Sequence, residues 1–252
     1  MPRIATGSLL AILLVACSKR EIGTDAASLK PGGAALTAAA RSGSDSVLAR
    51  VDAGRIIGNG KATVWMIVIS DFQCPYCKAW HDESWAAIRK DYVDTGKIRV
   101  AYVNLPLEMH RNAWPAAEAA MCAAEQGKFW AMQDALFRAQ DEWKALGDPA
   151  AAFESMAAGV GADVAALRSC VKAGVTRPLI LADADRAAKA GVSSTPTFFV
   201  GARAVVGAQP LAAFREALDA ALATAAASPA PAPTPPHSAR PAATPAGKPA
   251  GS

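Results

Sequence analysis

The sequence predicts an α/β fold in which a block of helices interrupts a frame of strands and helices. Three observations predict it. An almost unbroken apolar run, Thr63 to Ser70, leads into a helix-like run and then an alternating one, Lys97 to Val103. The period then turns helical through the whole middle of the chain. Strand signals return only at Thr197-Phe198-Phe199-Val200 and Ala204-Val205-Val206, ahead of a last helix.

Taken in order, Leu48 to Ile57 reads as a lead-in strand. Thr63 to Ser70 has the continuous apolarity of a strand buried on both faces. A helix follows from Pro75 through Tyr92, because proline suits the first helical position. Lys97 to Val103 alternates as a second central strand does. Ala113–Ala124, Gly127–Ala139, Ala150–Ala158, Asp163–Ala173 and Arg177–Ala190 read as helices. The two late strands form a hairpin with Gly201-Ala202 at the turn. The closing helix starts near Pro210, with Leu211, Phe214, Leu218 and Leu222 on one face. Aromatic residues make up 6% of the chain and alanine is abundant, so the core is expected to rest on Ala, Leu and Val.

The 252 residues suffice for one sizeable domain, about 47–225, with tails on both sides. At the start, Arg3 precedes an apolar run from Ser8 to Ala16, far short of the ~20 residues that span a bilayer. It ends in Leu14-Val15-Ala16-Cys17, which resembles a bacterial lipoprotein lipobox. The resemblance implies a signal peptide over 1–16, a lipidated Cys17 and a lipid anchor on a membrane. An ordinary signal peptide is the alternative. Either way, export places the chain where disulfides persist. Residues 17–46 read as a flexible tether. Residues 226–252 read as a disordered tail, because eight of the seventeen prolines fall there with little apolar bulk. The net charge of +4 lies partly in that tail, at Arg240 and Lys248. No basic stripe marks a nucleic-acid partner.

The chemistry gathers at Cys74-Pro75-Tyr76-Cys77, at the junction of a strand and a helix. With Cys74 as the cap and Pro75 at the first helical position, unpaired N–H groups and the positive helix end face the Cys74 sulfur. They favour thiolate and are expected to hold its pKa well below the usual ~8.5. Cys77 lies one turn on, at a helical Cα spacing of ~5–6 Å that suits a disulfide. Cys74 is therefore expected to be an exposed nucleophile and Cys77 its shielded partner. The cofactor is the redox-active disulfide itself. Half a zinc site is the alternative, but no second close pair exists, and His81, His110 and His237 lack ligand spacing, so no metal is expected. Cys122 and Cys170 remain. Cysteine arithmetic in an oxidising compartment predicts a second disulfide between them, against two separate buried thiols.

Around the pair, Asp71 reads as a cap of the helix approach or, alternatively, a proton-transfer group. His81 reads as part of a solvated helix face. Trp80, Trp85, Trp114 and Trp130 read as packing residues, with Trp80 the one candidate to flank a peptide groove.

Three separated stretches occur in a telling order: Phe72-Gln73-Cys74-Pro75-Tyr76-Cys77, His110 to Phe137 with Gln126-Gly127-Lys128-Phe129-Trp130 inside it, and Gly191 to Val200. Together they resemble the DsbA family of thiol–disulfide oxidoreductases. The resemblance implies a thioredoxin-like fold, a central mixed β-sheet flanked by helices, with an all-α domain inserted at about 108–190. It implies that Pro196 is a cis-proline packed opposite the cysteines, and that the Thr195 backbone receives a bound peptide. Pro75 and Tyr76 would tune the site. Implied partners are exported protein thiols or disulfides and a membrane redox partner, DsbB-like or DsbD-like, in the periplasm. Two positions depart from the pattern. Val68 stands where a buried acid is usual, and Tyr76 where the strongest oxidants often carry histidine. An oxidase, a reductase or isomerase, and a metal- or peptide-binding module therefore stay open.

Overall fold

In the computed structural model, which describes residues 45–227, the apolar run after Thr63 becomes the middle strand of a sheet. The predicted signal peptide, Cys17, most of the tether and the proline-rich tail lie outside the described residues. Strand β1 (Ile56–Gly58) pairs antiparallel with β3 (Ile98–Asn104). Strand β2 (Val64–Ser70) pairs parallel with β3 and antiparallel with β4 (Thr197–Val200). Strand β5 (Arg203–Val206) closes the far edge, giving the order β1-β3-β2-β4-β5. The expectation that β2 is buried on both faces holds for one face. Met66 and Val68 are fully buried, while Trp65 and Ile67 are half-buried. The Arg99 guanidinium covers part of that second face, 3.9 Å over the Trp65 ring.

The lead-in segment is a correction. Helix α1 occupies 45–54, and only Ile56–Gly58 is strand. Val47 and Val51 lie four residues apart and face the core, a helical period. The helix runs so close to the insert that a Cβ on Gly54 would meet the Ala124 carbonyl at 2.7 Å.

Helix α2 is a continuous run that alternates α (Pro75–Trp80, Ala86–Ile88) and π turns (His81–Trp85, Arg89–Val93). It packs on the sheet face that carries Phe198. Trp80 lies 4.7 Å from Phe198 and 5.9 Å from Phe214 of the closing helix α9 (Leu211–Ala227). A second aromatic group joins sheet to insert: Phe72 stacks on Tyr102 at 5.0 Å and leans on Phe137 at 5.2 Å. Ala and Val, with a few Leu, are numerous in the core as composition suggests, while its largest side chains are mainly aromatic. Most of the aromatics are buried, and each buries a large area.

The insert comprises α3 (Ala113–Glu125), α4 (Phe129–Arg138), α5 (Gln140–Trp143), α6 (Ala150–Gly159), α7 (Val164–Ala173) and α8 (Arg177–Lys189). Alanines do the packing in α3, where Ala116, Ala119, Ala120 and Ala123 are buried and let neighbours approach closely. Helix α7 starts where the Asp163 carboxylate accepts from the Ala166 N–H at 3.0 Å. It stops at Gly174, which takes the left-handed φ of 63°. Helix α8 is tied to the sheet by its buried Asp183, which accepts from Arg55 and from the Asn104 backbone and side chain. Those partners neutralise and hydrogen-bond a carboxylate that would be costly to bury alone.

A disulfide joins Cys122 of α3 to Cys170 of α7, 48 residues apart, at a Cα separation of 5.9 Å. Removing it frees a loop of that length in the unfolded chain, which is expected to lower stability by about 4 kcal/mol. Urea unfolding of the Cys122→Ala/Cys170→Ala chain against the bridged chain measures this.

Candidate active site

The centre of the sheet delivers two segments to one place. Strand β2 ends at Ser70, and the chain turns through Asp71-Phe72-Gln73 into α2. Its neighbour β4 begins at Thr197, opposite Ile69, so the residues just before β4 arrive beside the start of α2. There the Cys74 thiol donates to the Thr195 carbonyl at 3.4 Å, across 121 residues of sequence. The Thr195–Pro196 peptide is cis, and both residues are buried.

Cys74 is the N-cap of α2, with extended backbone angles (φ −67°, ψ 124°) and Pro75 at the first helical position. Its N–H donates to Asp71 O at 3.1 Å, and its carbonyl accepts from Lys78 N at 3.2 Å. No side-chain oxygen caps this helix, so the sulfur takes that position. The Cys74 pKa falls from its ordinary 9.0 to about 6. The largest cause is the hydrogen bond from the Cys77 thiol, with the Thr195 side chain and the Cys77 and Tyr76 backbone N–H groups adding to it against burial. Cys77 shifts upward, first through burial and then through its bond to Cys74 and the charge there. Within the dithiol, Cys74 gives up its proton first and Cys77 retains its own.

The expectation of an exposed nucleophile is not met. Cys74 is 3% exposed and Cys77 0%. The Thr195–Pro196 segment lies against Cys74 and removes it from solvent. Exposure falls instead on Pro75 and on Tyr76, which is 67% exposed. Two neighbours also differ from expectation. Trp80 is a core residue, 2% exposed, because the π turn after it keeps both Trp80 and Trp85 inward. His81 is buried rather than solvated. Its Nε2 meets Asp134 of α4 at 2.9 Å and its Nδ1 meets Asp82 at 3.2 Å, so it links α2 to the insert. Val68 is a buried apolar residue of β2.

Asp71 has a fully buried side chain. It accepts from Gln73 N at 2.7 Å and Leu107 N at 2.9 Å, and pairs with His110 Nδ1 at 2.6 Å. It holds the approach to α2 and anchors the β3–α3 loop. Sequence reasoning missed Gln73, Asn112 and Gln140. Gln73 accepts from Asn112 N at 2.6 Å and donates to Lys144 O at 3.1 Å, and Asn112 donates to the carbonyls of Trp143, Lys144 and Leu146. Gln140 donates to Phe72 O and Cys74 O. Amides in loops and at helix starts carry no periodic signal, so nothing in the sequence marks them. Among the described residues, no three His, Cys, Asp or Glu side chains group as a metal set.

Comparison with known proteins now has a site to refer to. The profile described as Thioredoxin matches residues 50–220. The chain belongs to the thioredoxin family. A relative named Na(+)/H(+) antiporter NhaA 3, from Salinispora tropica, is 36% identical over 172 residues, which are 68% of this chain and 24% of that protein. A probable disulfide bond formation protein D from Bacillus anthracis is 27% identical over 92 residues, 34% of this chain and 42% of that one. The chain thus spans less than half the length of either relative. Oxidised BdbD from Bacillus subtilis matches the structure with a TM-score of 0.62 at 20% identity, over 67% of this chain and 92% of that one. The fold is therefore the thioredoxin-like one predicted: a five-stranded mixed sheet flanked by helices, with a helical insert.

The Cys74 pKa carries a pH dependence with a definite sign. Because it is lowered, ionisation stabilises the folded reduced chain fully above pH 9.0, and that contribution fades as pH falls through about 6. Ultraviolet thiolate absorbance of the reduced chain is expected to titrate with a midpoint of about 6. Cys74→Ser should abolish that step.

Proposed function

We propose that this chain is a thiol–disulfide oxidoreductase of the bacterial cell envelope, acting as an oxidase through Cys74 and Cys77. The observation that carries the reading is the geometry of the pair: a low-pKa Cys74 capping α2, a buried Cys77 one turn on, and the cis Thr195–Pro196 segment against the sulfur. The relative named as a disulfide bond formation protein supports the same chemistry.

In the oxidised pair, a substrate thiolate attacks Cys74 Sγ. A new S–S bond forms there, the Cys74–Cys77 bond breaks, and Cys77 leaves with the electron pair and takes up a proton. A second substrate thiolate then attacks the substrate sulfur of the mixed disulfide, and Cys74 leaves as thiolate. The substrate loses two electrons and the pair gains them. Every group that stabilises the Cys74 thiolate stabilises the reduced enzyme, which makes the disulfide more oxidising. The Thr195 backbone and Pro196 receive the substrate peptide, and Pro75 and Tyr76 present the solvent-facing rim. Substrates are exported protein thiols, and a DsbB-like membrane partner restores the disulfide. Cys17 anchors the chain by its lipid. The Cys122–Cys170 bridge fits an oxidising compartment.

The test is the equilibrium potential of the Cys74–Cys77 pair against glutathione. A value near DsbA's, about −120 mV, supports an oxidase, and one near thioredoxin's, about −270 mV, overturns that direction in favour of a reductase. Cys74→Ser is expected to abolish exchange with a reduced, unfolded dithiol protein. Given a disulfide-bonded client as the oxidised partner, Cys77→Ala should accumulate a mixed disulfide at Cys74, one client sulfur leaving as thiolate, visible on non-reducing gels.

A further inference from the structure

Gln140 begins the short helix α5 and is 1% exposed. Its side-chain nitrogen donates to two carbonyls, Phe72 O at 2.7 Å and Cys74 O at 3.1 Å. These bonds reach from the insert to the nucleophile's own peptide, across 66 residues. The other bonds of Cys74 come from the frame: Asp71 O receives its N–H, Lys78 N binds its carbonyl, and Thr195 O receives its thiol. Gln140 is thus the insert's hold on Cys74. Its own position is fixed by the segment that follows it. Trp143 Nε1 donates to Leu136 O at 2.8 Å, and Asn112 and Gln73 bond the carbonyls of 143–146.

The electrostatic consequence follows from which groups are held. The Phe72 and Cys74 carbonyls are negative dipole ends on the segment that carries a sulfur that must hold negative charge. In a site this buried their repulsion is weakly screened. An amide that donates to both cancels part of it and fixes the backbone orientation that aims the α2 N–H groups at the sulfur. We propose that Gln140 is a positioning residue for Cys74: from the helical insert, it holds the Cys74 peptide at the head of α2 and thereby favours the thiolate. The proposal deepens the oxidoreductase reading above and rests on Cys74 being its nucleophile.

The test uses the reduced full chain and follows the rate of Cys74 alkylation by iodoacetamide against pH, read by mass spectrometry. Gln140→Met keeps the volume and removes both donated bonds. Alkylation at pH 5 is expected to fall severalfold, with the midpoint displaced upward. Gln133→Met, a buried glutamine in α4 of the same insert, is the control for disturbed packing. If Gln140→Met does not fold, Gln140→His keeps one N–H for the same carbonyls and should give a smaller displacement in the same direction. A folded Gln140→Met that titrates as the unaltered chain does overturns the proposal. A displacement reproduced by Gln133→Met overturns it too, since packing would then account for it. The oxidase reading is judged on the potential of the unaltered pair, so the two can fail separately.

Discussion

Everything at the active site depends on β2 lying between β3 and β4. The parallel pairing to β3 and the antiparallel pairing to β4 set where each segment ends. A slip of one residue between β2 and β4 would turn every side chain of one strand to the opposite face. Either Met66 and Val68 or Phe198 and Val200 would then leave the aromatic core, so burial locks the register. That lock is what carries the Thr195 carbonyl to within 3.4 Å of the Cys74 sulfur. The site is in this sense a by-product of hydrophobic packing several residues away.

Much of this was legible in the sequence. The strands were marked by apolar or alternating runs, and the helices of the insert by their period. The Cys74-Pro75-Tyr76-Cys77 motif sat at a junction whose geometry dictates a capping sulfur. Helix α1 was misread because Val47 and Val51 fall in a short window where four-residue spacing and strand-like apolarity look alike. Burial of Cys74 was not legible either, since the segment that covers it lies more than a hundred residues away. His81 shows the same limit. A lone histidine on a helix has no sequence mark of the Asp134 that awaits it in another helix. The amide network of Gln73, Asn112 and Gln140 is the clearest case, because specific partners and not periodicity define it.

The insert is joined to the frame by two kinds of contact that behave differently. Apolar contact, such as Phe72 against Phe137, is non-directional and tolerates small shifts. The polar contacts are directional and close: Asp71 to the β3–α3 loop, Gln73 to Asn112, and Gln140 to Phe72 and Cys74. These three converge on the residues from 71 to 74, whereas Asp134 to His81 and Asp183 to Arg55 and Asn104 join insert and frame elsewhere. Through those three contacts the insert meets the segment that carries Cys74, while the Cys122–Cys170 bridge joins two of its own helices.

The strands at the two sheet edges have a consequence of another kind. Strand β1 is three residues long and β5 is four. A long open edge presents a row of unpaired backbone groups that can recruit an extended segment of another chain as an extra strand. Edges this short offer too few backbone groups to hold such a segment. The two edges of the sheet are thus poor seeds for co-aggregation.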